Sequence, residues 1–244
     1  MRNSMKPILI LLSILACSAF ISCEKETQEY PDTSGYKIKR VLYYTSLDAA
    51  TPLTVYDYEY DLNKRLIRIT VDTLRIDSFD YSGNNELTRK RVYEKNYKGE
   101  FIIMDSTRYF YNNGLLVKEI SYDPFYTIVR ALRIYKYENS KLIEKYESWY
   151  QYFFSLTKYE CSGNLCKKET GFADSTGLTI STHKYHFYKN NRLSKTELFG
   201  FNGSKMQIIT YTYDLEGKLI VEEAKQPNPD VVNPYFYVIR YEYY

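Results

Sequence analysis

Tyr211-Thr212-Tyr213-Asp214-Leu215-Glu216-Gly217-Lys218-Leu219 is the stretch on which the fold turns. Two tyrosines alternate with polar residues, a turn-forming segment from Asp214 to Gly217 follows, and an apolar run resumes at Leu219. Period-two alternation on both sides of a Gly-bearing turn marks a β-hairpin. The same order stands at Tyr58-Glu59-Tyr60-Asp61-Leu62-Asn63-Lys64-Arg65-Leu66. Between them, Phe79-Asp80-Tyr81, Tyr109-Phe110-Tyr111, Tyr135-Lys136-Tyr137, Tyr159-Glu160-Cys161 and His186-Phe187-Tyr188 each precede a short turn and a leucine. Those leucines stand at 66, 87, 116, 142, 165, 193 and 219, so the unit recurs every 21 to 29 residues. A repeat of that length is one supersecondary unit stacked on copies of itself. Tyr, Thr, Ile and Val dominate the runs, and no window sustains a 3.6-residue apolar period, which argues against a helical solenoid.

Working outward, a strand at about Lys37–Thr45 precedes the hairpins and one at about Tyr235–Tyr244 follows them. The expected fold is all-β, a single antiparallel up-and-down meander of about sixteen strands. The motif turns are tight and gather at one end. Longer connections at Ser46–Leu53, Tyr93–Glu100, Tyr122–Thr127, Gly171–Thr179 and Lys225–Pro234 gather at the other. The first and last strands both have their outer termini at the tight-turn end, so they can pair and remove the exposed edges. That makes a closed or flattened barrel the first expectation and an open, curled sheet the second.

The first two dozen residues are a different kind of sequence. Arg2 and Lys6 precede a mostly apolar run from Ile8 to Ile21, which ends at Ser22-Cys23 and turns polar at Glu24-Lys25-Glu26. This layout fits a secretory signal and is short for a membrane span. The Cys after a small residue at that break resembles a bacterial lipoprotein signal, which implies lipidation of Cys23. An ordinary cleaved signal with an incidental Cys is the alternative, and Cys17 is the weaker second candidate. The expected division is a signal at 1–22, a lipidated Cys and polar tether at 23–36, and one hairpin-repeat domain at 37–244. The expected location is the cell envelope, anchored by lipid to the outer membrane and facing the surface or the periplasm.

The recurring Tyr-x-Tyr-Asp-x-x-Gly-Lys-Leu pattern, fullest at Tyr211 to Leu219, resembles the YD repeats of rearrangement-hotspot proteins. Joined to a lipoprotein signal, it is more similar to a family of uncharacterised Bacteroidota lipoproteins with a porin-like fold. The resemblance implies a many-stranded antiparallel barrel and an acidic export signal after the lipidated Cys, matched here by Glu24 and Glu26. It carries over no activity and no site residues. Cys161 departs from the pattern by standing where a tyrosine is expected, and the turns at Asn63 and Asn190-Asn191 lack the glycine.

Of the formal net charge of +3, Arg2 and Lys6 supply two, so the mature chain carries no electrostatic footprint for nucleic acid. A membrane-spanning porin is disfavoured too. Arg89 and Arg91 fall on one strand face and Lys90 on the other, and Arg133 opposes Lys136 and Glu138, so neither face offers a continuous apolar band. The membrane is therefore expected as a partner through the lipid anchor only.

Cys161 and Cys166 flank Ser162-Gly163-Asn164-Leu165. If Gly163-Asn164 is a two-residue turn, the cysteines sit directly across the hairpin, within disulfide reach. Export permits oxidation, and a structural disulfide is expected. Adding His183 and His186 to make a zinc site fails on geometry, because residues three apart on a strand point to opposite faces. No metal, cofactor or nucleophile motif is expected, and the carboxylates are more simply solvated partners of the strand tyrosines.

The aromatics near the long-connection end invite a binding hypothesis. Phe125, Tyr126, Trp149, Tyr150, Tyr152, Phe199 and Phe201 are candidate ligand-binding residues, placed away from the tether. Flat rings there suit sugar faces or peptides; the competing possibility is that they bury one another across the barrel mouth. The expected function is a non-catalytic glycan- or peptide-binding module. A structural component of a cell-envelope complex is the alternative, and a glycan hydrolase a more distant third.

Overall fold

The computed structural model describes residues 37–46, 49–123, 128–150, 153–162, 165–227 and 237–244, the side chains of 153–154 excepted. Sixteen strands follow in chain order, with no helix among the described residues: β1 (Ile38–Tyr44), β2 (Thr54–Tyr60), β3 (Leu66–Val71), β4 (Arg75–Tyr81), β5 (Leu87–Lys95), β6 (Phe101–Asn112), β7 (Leu115–Tyr122), β8 (Val129–Glu138), β9 (Lys141–Trp149), β10 (Phe153–Ser162), β11 (Leu165–Phe172), β12 (Ile180–Lys189), β13 (Arg192–Gly200), β14 (Lys205–Tyr213), β15 (Leu219–Lys225) and β16 (Tyr237–Tyr243). Each strand pairs antiparallel with its neighbours in sequence, and β1 pairs with β16, Val41 opposite Tyr241 and Tyr43 opposite Ile239. The sheet is thus a closed barrel, and the open, curled alternative falls with that ladder.

The repeat motif has a structural meaning beyond the hairpin. In all seven hairpins the register slips at the second motif position: Tyr60 opposite Leu66, Tyr81 opposite Leu87, Tyr111 opposite Leu116, Tyr137 opposite Leu142, Cys161 opposite Cys166, Tyr188 opposite Leu193 and Tyr213 opposite Leu219. A bulge leaves a backbone group without its ladder partner. Tyrosine hydroxyls of the next hairpin donate to the carbonyls there: Tyr81 to Leu66, Tyr137 to Leu116, Tyr188 to Cys166 and Tyr213 to Leu193, at 2.8–2.9 Å. Tyr243 of β16 does the same for Leu219. The motif tyrosine therefore stitches one hairpin to the one before it. In the fifth hairpin the leucine position is held by Cys166, not by Leu165 as the spacing of leucines suggested; Leu165 lies one residue nearer the turn.

The turns obey local chemistry. Asn113-Gly114, Asn139-Ser140 and Asn190-Asn191 form two-residue loops with positive φ at both positions, which Asn tolerates without glycine. In the longer turns the Asp of the motif works as a cap: Asp61 Oδ1 accepts from the Arg65 backbone N–H and Asp214 Oδ1 from Lys218, each at 2.8 Å. Gly217, at φ 90°, turns the chain where a Cβ would strike the Arg192 guanidinium.

At the other end the connections are less uniformly long than expected. Residues 72–74 and 150–152 are three-residue links, and β5 runs on to Lys95, so Tyr93 belongs to a strand. Trp149 and Phe199 also lie within strands, β9 and β13, instead of in loops. The chain preceding Lys37 enters β1 at the tight-turn end, since Ile38 pairs with Tyr243.

Candidate functional site

Two places in the barrel concentrate chemistry: the lumen and the rim opposite the tight turns. The lumen is built by the motif itself. Because of the bulge, the third residue after each motif Leu (or Cys166) points inward, beside the first aromatic of the same hairpin. The resulting pairs are Tyr58 with Ile69, Phe79 with Lys90, Tyr109 with Glu119, Tyr135 with Lys145, Tyr159 with Glu169, His186 with Thr196 and Tyr211 with Glu222. Charges therefore line the interior by a rule of the backbone.

They are neutralised in place. Arg133 bridges Glu119 at 3.1 Å and Glu147 at 2.8 Å, and the Tyr135 hydroxyl donates to Glu119 at 2.7 Å. Asp77 sits between Arg75 and Lys90 at 2.8 and 2.7 Å; burial opposes its charge, but the two cations hold it below the usual carboxylate range. Glu169 meets His186 Nε2 at 3.1 Å and Lys184 at 3.3 Å, while His186 Nδ1 lies 3.0 Å from the Thr196 hydroxyl. Burial would raise Glu169, yet Lys184 and His186 bring it down to about 2. Glu222 differs: its interior partners are the hydroxyls of Tyr237 and Tyr241 at 2.9 and 3.5 Å, and burial raises its carboxyl above the ordinary value.

The interior is filled as well as charged. Cys166, Leu193 and Leu219, at the tight-turn level, are 0%, 1% and 2% exposed. Asp77, Glu119, Glu147 and Glu222 are buried above them. An open pore would leave such lumen-facing groups wet. The outer wall is wet instead, with cross-strand pairs at Arg40–Asp57, Arg68–Glu59, Arg91–Asp80, Lys136–Glu144 and Lys168–Glu160.

The rim carries a second pattern. Leu53, Leu74, Tyr97, Ile128, Tyr150, Leu178 and Phe201 are each 49% to 92% exposed. They occupy the β1–β2, β3–β4, β5–β6, β7–β8, β9–β10, β11–β12 and β13–β14 connections. Only Tyr150 and Phe201 of the seven stand in aromatic clusters of the sequence; the signal for the others is a large apolar residue between the polar residues of a connection.

The remaining candidates are dispersed. Trp149 is half-buried and pairs with Ala131, on the lumen side, just inside the rim. Phe199 lies on the outer wall, edge-on to Tyr185 and under Lys205. Phe125, Tyr126 and Tyr152 fall outside the described residues, as does Cys23. Cys161 and Cys166 stand opposite each other as expected and are free thiols in the structure, Cys161 exposed and Cys166 buried. His186 faces the lumen while His183 pairs with Thr170 and Phe199 on the opposite face. Among the described residues no three His, Cys, Asp or Glu side chains form a metal-holding group.

No protein-family model matches the sequence, and no curated protein matches it. Solved structures do. One is a porin-like protein from Bacteroides uniformis, 12% identical, with a TM-score of 0.51 over 85% of this chain and 98% of that one. Another is a porin-like protein from Bacteroides vulgatus, also 12% identical, with a TM-score of 0.46 over 85% and 98% of the two chains. At this identity the first likeness speaks for the fold alone, and the second is too distant to add to it. The closed sixteen-strand barrel described above is accordingly a fold that this chain shares with a porin-like protein of Bacteroides.

Proposed function

We propose that this chain is an exported, lipid-anchored cell-envelope protein that acts as a non-catalytic binding module through the rim opposite its tether. The observation that carries the proposal is the set of exposed apolar residues spread over seven connections, on a barrel whose interior is packed. A folded domain gains nothing in stability from seven such residues in water, so their cost is met by a partner. Four of the seven are aliphatic: Leu53, Leu74, Ile128 and Leu178. Sugar faces favour flat aromatic platforms, whereas Leu and Ile suit apolar peptide or protein side chains. The occupant is therefore a peptide or protein segment, and a glycan is the weaker candidate.

The signal-like Ile8–Ile21 run followed by Ser22-Cys23 supports lipidation at Cys23 and the envelope location. The Tyr-x-Tyr-Asp repeat supports kinship with the YD-repeat-like Bacteroidota lipoproteins. Against a transmembrane pore stand the filled lumen and the ion-paired outer wall, where each lipid-facing basic residue would cost about 2–4 kcal/mol at the midplane. The test is binding of peptide and oligosaccharide panels by the chain from Glu24 onward and by a variant with Tyr97, Leu178 and Phe201 changed to Ser. Saturable peptide binding lost in the variant is the expected result. Saturable glycan binding, or peptide binding indifferent to the three substitutions, would overturn it.

A further inference from the structure

The tight-turn end of the barrel carries an unbalanced charge. Lys39, Lys64, Lys141, Lys167, Lys189 and Arg192 are exposed there. Arg65 and Lys218 at the same end are tied to Asp61 and Glu216, but none of the six is within ion-pair reach of an acid among the described residues. Of the exposed acids nearby among the described residues, Glu59, Glu160, Glu216 and Glu242 are taken up by Arg68, Lys168, Lys218 and Arg40, which leaves Glu138. Among the described residues the opposite rim is balanced, with Asp72, Glu94 and Glu100 exposed against Lys95, Lys98 and Lys225. The imbalance is not dictated by the fold, since the motif needs only a Tyr, a Leu and a turn at this end.

The six cations share the end of the barrel at which β1 begins. Lys39 lies one residue beyond Ile38, the first residue of β1. Lys64, Lys141, Lys167, Lys189 and Arg192 belong to turns or strand ends of four other hairpins, so they stand around one end of the barrel. Charges ringed around one end can meet a plane together, and clustered Lys and Arg at a membrane surface are attracted by anionic headgroups.

We propose that this face is a contact surface for anionic phospholipid headgroups, on which the barrel stands with its apolar rim outward. The surface is separate from the rim, so it holds or fails whatever the rim binds. Each cation that meets such a surface strengthens partitioning by about fivefold, and the attraction is screened within a Debye length of about 10 Å at 0.1 M salt.

The chain from Glu24 onward contains every strand of the closed ladder and lacks the lipidated Cys, so it reports the face without the anchor. Flotation with vesicles of phosphatidylcholine alone and of phosphatidylcholine containing phosphatidylglycerol is the test. Binding to the anionic vesicles only, falling steeply as salt rises, is expected. Changing Lys64, Lys141, Lys189 and Arg192 to Gln should reduce it by more than tenfold, and changing Lys95, Lys98 and Lys225 at the rim should leave it unchanged. The proposal is overturned by equal binding to neutral vesicles, by no binding at low salt, or by equal losses from the two sets of substitutions. It is overturned equally if glycerol phosphate at constant ionic strength displaces the vesicles, which would mark a discrete anion pocket.

Discussion

Glu169 and Glu222 occupy the same place in two hairpins, three residues after the buried residue at the bulge and opposite a motif tyrosine. Around Glu169 the barrel supplies Lys184 and His186, and the carboxyl is held at about 2. Around Glu222 it supplies tyrosine hydroxyls, and the carboxyl is raised. The contrast extends to whole arcs of the wall. β1–β3, β15 and β16 fill their side of the lumen with Val41, Tyr58, Leu66, Ile69, Leu219, Ile239 and Tyr241, joined by Phe79 and Leu87 of β4 and β5. β7–β9 fill theirs with Glu119, Arg133, Lys145 and Glu147. One backbone template, with one bulge and one tyrosine stitch, thus tolerates two ways of filling a barrel. The backbone decides where the inward positions fall, and local partners decide what charge state they take.

The comparison breaks most violently at Arg133. Arg133→Met leaves Glu119 and Glu147 buried without their shared cation, and chemical denaturation should show a loss of about 3–5 kcal/mol. If the charged arc is only an alternative filling, replacing all three by apolar residues of similar volume should recover most of that loss. A triple variant as unstable as the single one would mean that the ion pairs specify the arc. In the apolar arc, Leu219→Ala should cost about 3 kcal/mol through lost burial and the cavity left behind. No second substitution there should be needed to explain the value.

Cys161 and Cys166 replace the Tyr–Leu pair of one hairpin, removing a hydroxyl stitch and offering a covalent one. Under oxidising conditions they should form a disulfide, visible as a mass decrease of about two daltons, that stabilises the chain by about 2 kcal/mol for so short a loop. Adding reductant should remove that increment. The double variant Cys161→Tyr, Cys166→Leu should become insensitive to reductant.

The smallest effect is pH dependence, and it has opposite signs at the two glutamates. The folded pKa of Glu169 is depressed, so its stabilisation is present above the ordinary carboxylate value near 4.5 and is lost as pH falls toward about 2. The folded pKa of Glu222 is raised, so its contribution is present while it is protonated and is lost as pH rises through that pKa. Glu222→Gln should flatten the decline on the neutral side. Glu169→Gln should reduce the acid-side slope and destabilise at pH 7. Identical pH profiles for both variants would erase the distinction.

The barrel was legible because the motif repeats. Seven hairpins with aligned leucines dictate the strand count, and the shared end of the first and last strands dictates closure. The bulge was not legible, since it puts two residues between the motif Leu and the next inward side chain, where strict period two expects one. Without it the inward rows cannot be assigned, which is why Cys166 was not recognised as the leucine equivalent and why the paired interior charges went unseen. The rim was misjudged for a related reason. Trp149 and Phe199 stand in aromatic clusters that resemble loop sequence, yet β9 runs to Trp149 and β13 to Gly200. The opposed faces of Lys90 and Arg91 were readable, because that inference needs only period two.

Accessibility of the lumen to a small charged thiol reagent tests the packed barrel most directly. In a Cys161→Ser background, cysteine is placed at Thr107 or Thr196, both buried on the lumen face, and at Thr210, exposed on the outer wall. A filled lumen predicts that the two inner sites react at least ~100-fold more slowly than the outer one, the factor for an opening that costs about 3 kcal/mol. Labelling of the inner sites as fast as Thr210→Cys would mean a water-filled channel, and the packed interior on which the rim-binding account depends would be wrong.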